Sequence, residues 1–194
     1  MNNNQEIRSS DYPVNPIILN RWSPRSMTGD EISDNDLFTI FESARWAPSS
    51  YNNQPWRFIY AKRDSKEFNK FLSLLIEFNQ KWASKAACLV VIISKNTFDK
   101  NQKPSKTHSF DTGAAWENMA LQGTSMGFVI HGMEGFDYEM AKKELKIPEG
   151  YTVEAMAAIG VRGQIESLPE EMREREKPSD RKSFSEIIMM GEFK

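Results

Sequence analysis

Hydrophobic and polar positions change period several times along the chain, and each change marks an element. Over Asp34–Trp46, Leu37, Phe38, Ile40, Phe41 and Ala44 recur at helical spacing, with Ser33 or Asp34 as cap and Pro48 as the stop. Trp56–Ala61 alternates among β-favouring residues and predicts a strand. Phe68, Phe71, Leu72, Leu75 and Phe78 lay one apolar stripe along Lys66–Trp82, which predicts a single helix. Ala86–Ser94 is continuously apolar at strand length, the pattern of a central strand covered on both faces. Ser109–Met126 predicts a second long helix whose Gly113, Ala114, Ala115, Ala120 and Gly123 permit close packing, with Gly127 at its end. Phe128–Ile130 predicts a brief strand, Asp137–Leu145 a short helix, and Val153–Val161 another buried strand. Phe184–Met190 reads as an apolar, strand-like tail that one compact core does not need. Helices and strands alternate without internal repeats, so the class is α+β or α/β.

The polar stretches between these elements carry the candidate chemistry. Residues 1–16 form a loosely held arm, Ile17–Trp22 is apolar enough to dock, and Lys95–Thr107 and residues 166–182 are charged surface. Ala47–Phe58 is dense in amides and hydroxyls with a proline near each end, and such a loop presents hydrogen-bonding groups to a flat polar ligand. Asn52 and Gln54 there would equally serve to cap the turn into the strand. Upstream, Arg21 and Arg25 lie four apart, so one helical turn starting at Ser23-Pro24 would align them. That spacing alone describes a solvated surface pair just as well. His131–Phe136 places Gly132 and Gly135 around Glu134, where backbone can approach a ligand closely.

Composition narrows the function classes. A chain of 194 residues, 39% hydrophobic and 27% charged, fits one globular domain. A net charge of −2 gives no reason to expect nucleic acid or membrane as partner, and no apolar run nears the ~18–20 residues of a bilayer span. The polar Met1–Ser10 contains no secretory signal, so a reduced, cytoplasmic setting is the simplest expectation. The lone Cys88 excludes an internal disulfide and reads as an inert core residue. His108 and His131 lack any metal-ligand spacing, so no metal is expected. Gly-x-Ser-x-Gly and both glycine-rich nucleotide motifs are absent, and nothing in the sequence sets a histidine beside a serine. What remains suits a reaction whose chemistry a bound cofactor carries.

Four segments in order resemble the flavin-dependent nitroreductase family, from Arg21 to about Ile188. They are Arg21-Trp22-Ser23-Pro24-Arg25, the Pro48–Trp56 loop, Asp111-x-Gly-x-Ala-x-x-Asn, and Met133-Glu134-Gly135-Phe136. The resemblance implies a single domain over 1–194, built as a three-layer α/β/α sandwich around a central mixed sheet. It also implies an interlocked homodimer in which the tail, 183–194, is exchanged between subunits. FMN would be the bound cofactor, NADH or NADPH the electron donor, and nitroaromatics, quinones or similar small molecules the acceptors, in a ping-pong reaction. Arg21 would hold the FMN phosphate with Ser23 nearby, and Arg25 would sit by flavin N1 and O2. Pro48, Ser49, Ser50, Asn52 and Gln54 would come from the other subunit, and Asp111, at the start of the long interface helix, would be a further cofactor-binding residue. Gly132, Met133, Glu134 and Gly135 would line the N5 edge, with the Glu134 N–H towards N5. Trp22 departs from the basic or histidine residue common at its place, which leaves open how it meets the flavin. Arg181, ahead of Arg175, would add a second phosphate cation, and Asn79 and Lys81 stand where relatives add ring contacts. Trp56 and Trp116 read as packing residues. Within the same resemblance lie dehalogenation, dehydrogenation, flavin breakdown and plain FMN storage; an unliganded dimerisation module is the rival outside it.

Overall fold

One four-stranded sheet divides the helices into two layers. The structure is a computed structural model and describes residues 8–193. The strands are β1 (Trp56–Lys62), β2 (Cys88–Lys95), β3 (Phe128–Met133) and β4 (Tyr151–Val161), in the order β1-β2-β4-β3. Every residue of β2 from Cys88 to Ser94 is buried, as its unbroken apolar run predicts. Because successive strand residues point to opposite faces, Leu89, Val91 and Ile93 join one core and Val90 and Ile92 the other. The first core is covered by α3 (Phe68–Leu74), α4 (Glu77–Ala83) and α6 (Tyr138–Glu144). The second is covered by α2 (Asp34–Arg45) and α5 (His108–Ser125). These are the three layers expected.

The small residues of α5 let it sit close to the sheet: a Cβ on Gly123 would lie 2.4 Å from Ile130 Cγ1. Ser33 proves to be the cap of α2, its Oγ accepting from the Asp36 N–H at 3.1 Å. Trp56 is buried, and Trp116 packs over Gly132. No described helix is long and apolar enough to cross a membrane.

Several expectations are corrected. The sheet is antiparallel at all three pairings rather than mixed. β2 and β3 run the same way through the α5 crossover, but the oppositely directed β4 lies between them, so no parallel neighbours arise. Lys66–Trp82 is two helices, because Leu75 and Ile76 turn extended (ψ 149° and 153°). Leu75 bridges Phe136, and the Ile76 N–H donates to the Gly135 carbonyl at 3.0 Å. Pairing with a distant segment thus overrides a helical stripe that runs through the break. Arg21–Arg25 is not a helical turn; the helix lies just upstream, α1 (Pro16–Asn20), and the chain then runs to a bridge between Met27 and Arg162. The tail holds a short helix, α8 (Phe184–Ile187), instead of a strand. A Ser183–Glu186 capping box favours that turn, and no described strand lies beside it. The charged stretch before it contains the one-turn α7 (Glu170–Arg173). Of the arm, residues 1–7 lie outside the described residues. From Arg8 onward it is anchored, with the Arg8 guanidinium donating to the carbonyls of Leu19 and Arg21.

Candidate functional site

The loop after α2 is held by its own hydrogen bonds together with others from α5 and the 97–99 turn. Ser50–Asn52 form a 3-10 turn, and Tyr51, Asn52 and Gln54 all take left-handed backbone, φ 52°, 52° and 49°. Positive φ at residues other than glycine costs on the order of 1–3 kcal/mol where nothing local favours it, and three within four positions need support from around them. That support comes from several sides. Asp111 Oδ2 accepts from the Ser50 N–H at 3.1 Å and from Thr107 Oγ1 at 3.2 Å. Ser49 Oγ accepts from the Gln54 N–H at 3.0 Å. Asn53 clasps the 97–99 turn, donating to the Thr97 carbonyl and accepting from the Asp99 N–H. Tyr51 stands 93% exposed at the tip, edge-on to Phe98. Asp111, expected among the flavin contacts, is buried and is the post to which this loop is tied.

The segment Arg21–Arg25 is built the other way, with backbone secured and guanidinium groups left available. Glu176 is buried, and its carboxylate accepts from two consecutive backbone amides, Arg25 N (2.9 and 3.0 Å) and Ser26 N (2.9 Å). Ser26 Oγ donates to the Gln164 carbonyl, and a Cβ on Gly163 would strike the Met27 backbone at 2.8 Å. The Arg25 side chain, fixed at its root, has no hydrogen-bond acceptor among the described residues. Arg21 is mostly buried and reaches only Ser23 Oγ at 3.4 Å and, more distantly, Glu117 at 3.8 Å. Trp22 turns its ring to the Arg162 guanidinium, 4.5 Å from the ring centre, and with Pro24, Val129 and Arg162 lines a cavity of about 160 Å³. Burial of Arg162 lowers its pKa, partly offset by nearby Glu176. Arg181 is exposed and bonds only to Ser179 and Asp180.

His131 joins this segment to β3. Its Nδ1 lies 2.8 Å from the Pro24 carbonyl, and its ring packs 4.5 Å from Trp82. Burial pushes its pKa down to about 4, so near pH 7 the ring is neutral and Nδ1 carries the proton it donates to Pro24. Just beyond, both glycines are required by the protein side of the edge. A Cβ on Gly132 would lie 2.9 Å from Trp116 Cζ2, and one on Gly135 would lie 2.6 Å from Asn79 Nδ2. Asn79 in turn donates to the Gly135 carbonyl at 3.0 Å and accepts from Trp82 Nε1. The glycines therefore let helix side chains seat against this segment from both layers, Trp116 from α5 and Asn79 from α4, with Glu134 exposed and Met133 buried in the first core. Lys81 is directed to Glu171 at 3.5 Å.

Within one chain, the Pro24–His131 bond brings Arg21–Arg25 against β3, while Pro48–Gln54 leads into the far edge strand β1. Trp56 pairs with Ser94 and Ser94 with Thr152, at one end of the sheet. The Met27–Arg162 bridge and the Phe128–Val161 pair mark the other end.

A serine does meet a histidine here. Ser94 Oγ lies 2.7 Å from His108 Nδ1 and bonds Glu154, which the register shift opposite Ile92/Ile93 leaves between paired neighbours. Ser94 is fully buried, so the group pins α5 to the sheet and offers no nucleophile. Burial pushes the Cys88 thiol up to about 12, which makes it unreactive. No group of three metal-ligating side chains occurs among the described residues. The residues that sequence reasoning missed are Arg8, Glu176 and Asn79 as the glycine edge's support; none carries a local motif.

Comparison with known proteins agrees with this geometry. The model of the nitroreductase family matches residues 18–81 and 75–161. A crystal structure of an oxidoreductase containing FMN superimposes with TM-score 0.94 at 43% identity, covering 100% of this chain and 99% of its own. A protein of Archaeoglobus fulgidus, provisionally named an NADH dehydrogenase/NAD(P)H nitroreductase, is 29% identical over 148 residues, 74% of this chain and 82% of that protein. A Desulfovibrio desulfuricans protein crystallised in complex with FMN shares the fold, with TM-score 0.73 at 23% identity over 94% of this chain and 100% of its own. With the arginine segment, the amide loop and the glycine edge in place, the chain belongs to the nitroreductase family.

Proposed function

We propose that this chain is an FMN-dependent oxidoreductase that passes reducing equivalents from NADH or NADPH to small conjugated acceptors such as nitroaromatics and quinones. The observation that carries this reading is a cluster of guanidinium donors short of acceptors, at Arg21 and Arg25, joined through the Pro24–His131 bond to a strand edge of exposed backbone. The residues fit FMN: a phosphomonoester matches a planar guanidinium fork, and a flat ring matches the Gly132–Gly135 edge. FMN held by Arg21, Arg25 and the Gly132–Gly135 edge would supply the redox chemistry between nicotinamide and acceptor.

The chain's own residues bind, orient and polarise. Arg21 holds the phosphate, with Ser23 bonded beside it. Arg25, its backbone clamped by Glu176, places positive charge where negative charge develops on the reduced ring. The Glu134 N–H faces the reactive edge, and Asn79 fixes the strand's position from below. No nucleophile and no metal is called for.

The loop Pro48–Gln54, held away from Arg21–Arg25 within one chain, is presented to the flavin of a second subunit in a homodimer. Asn52, whose side chain has no partner among the described residues, supplies contacts there. The exposed Trp46 (77%) and Phe110 (80%), on the helices flanking the loop, support a second subunit covering this surface.

An anaerobic absorbance titration tests the reading. Added FMN should saturate at one per chain, be bleached by NADH or NADPH, and recover its colour with a nitroaromatic or quinone. Protein that takes up no FMN contradicts it.

A further inference from the structure

We propose that Arg8, on the N-terminal arm, is a third guanidinium of the phosphate subsite, closing over the phosphomonoester held by Arg21 and Arg181 and so selecting FMN over unphosphorylated flavin. The inference rests on the FMN reading above. Three observations converge on it. Arg8 Nη1 donates to the Arg21 carbonyl at 2.9 Å and to the Leu19 carbonyl at 3.4 Å, which fixes its guanidinium against the segment that carries Arg21. Arg8 Nε is buried with no hydrogen-bond partner, an N–H that the described residues leave unanswered. The Tyr12 ring packs against Phe184 at 5.1 Å, which brings the arm onto the terminal segment three residues beyond Arg181.

The charges point the same way. Burial and the neighbouring Arg181 and Arg21 all disfavour the Arg8 cation, and only Asp180 counters them. Glu117 stands 3.8 Å from Arg21 and is itself partly exposed. An Arg8 fork with an unanswered N–H, tied to the segment that carries Arg21 and within electrostatic reach of Arg181, suits a doubly charged anion with several acceptor oxygens. A phosphomonoester is such a group, and it takes planar forks in bidentate bonds. The arm then serves as a clasp, tied to Arg21 on one side and to the terminal segment on the other.

The test is flavin-fluorescence titration of apoprotein, wild type and Arg8→Gln, with FMN and with riboflavin. Loss of one charge-assisted contact should weaken FMN binding by roughly tenfold or more and leave riboflavin binding unchanged. Inorganic phosphate should compete with FMN in the wild type and compete less well in Arg8→Gln. Arg8→Lys, which keeps charge without the fork, should fall between and serves if the glutamine variant folds poorly. Equal FMN affinity in wild type and Arg8→Gln overturns the proposal. Equal losses for FMN and riboflavin also overturn it, since they mean that Arg8 only braces α1. A wild-type protein that binds neither flavin overturns the oxidoreductase reading and this one with it.

Discussion

The loop at Pro48–Gln54 and the segment Arg21–Arg25 are both polar, yet they use their side chains in opposite ways. The loop's side chains are spent on structure: Asp111 of α5 and Ser49 accept from its Ser50 and Gln54 amides, Asn53 clasps the 97–99 turn, and three left-handed residues are held against their own preference. The arginine segment has its backbone secured by Glu176 and His131 and leaves its guanidinium groups short of acceptors. The loop therefore contributes shape and the segment contributes charge. On the function proposed above, a site that needs both, from segments that one chain holds apart, is completed between two chains.

This contrast breaks first where a single group secures the backbone. Glu176→Ala leaves the Arg25 and Ser26 amides unanswered in a buried place, and the lost charge-assisted bonds should cost about 3–5 kcal/mol. Chemical denaturation should register that loss together with weaker FMN retention, and a midpoint equal to wild type would show that the clamp is idle. The His131 link comes next. Its folded pKa of about 4 lies below its ordinary value of 6.5, so the unfolded chain takes up a proton first as pH falls. Stability should be constant above about pH 6.5 and decline by roughly 3 kcal/mol as pH falls to 4. His131→Gln should flatten that portion of a stability–pH curve, and an unchanged acid limb in the variant would refute the assignment. Smaller again is the loop's post. Asp111→Ala should cost about 1–3 kcal/mol and, more tellingly, raise amide exchange selectively over residues 49–54. Uniform exchange across α5 and the loop would deny Asp111 its local role.

Legibility in the sequence followed the range of the forces involved. The α2 stripe, the unbroken apolar run of β2 and the small residues of α5 are short-range signals, and each describes its element correctly. Lys66–Trp82 misleads because Leu75 satisfies the helical stripe while its backbone pairs with Phe136 far along the chain. Gly132 and Gly135 are identifiable as special positions, but the partners that demand glycine, Trp116, Asn79 and Ile76, are visible only in three dimensions. Glu176 sits inside a charge run that reads as solvated surface, and its burial comes from amides 150 residues away. Arg8 lies in an arm with no periodicity at all. The sheet's direction is not legible in the sequence for a similar reason, since strand order depends on where α5 carries the chain.

The most direct test of a site completed between chains is a mixed dimer. Subunits carrying Arg21→Gln and subunits carrying Asn52→Ala, each weakened in FMN binding as homodimers, are co-expressed with different tags and the heterodimer is isolated. If loop and arginine segment meet across the interface, one site receives both lesions and the other receives neither. FMN titration of the heterodimer then has two phases, half of the sites binding with wild-type affinity. A single weakened phase, with no site restored, would place loop and arginine segment in the same chain's site and contradict the account.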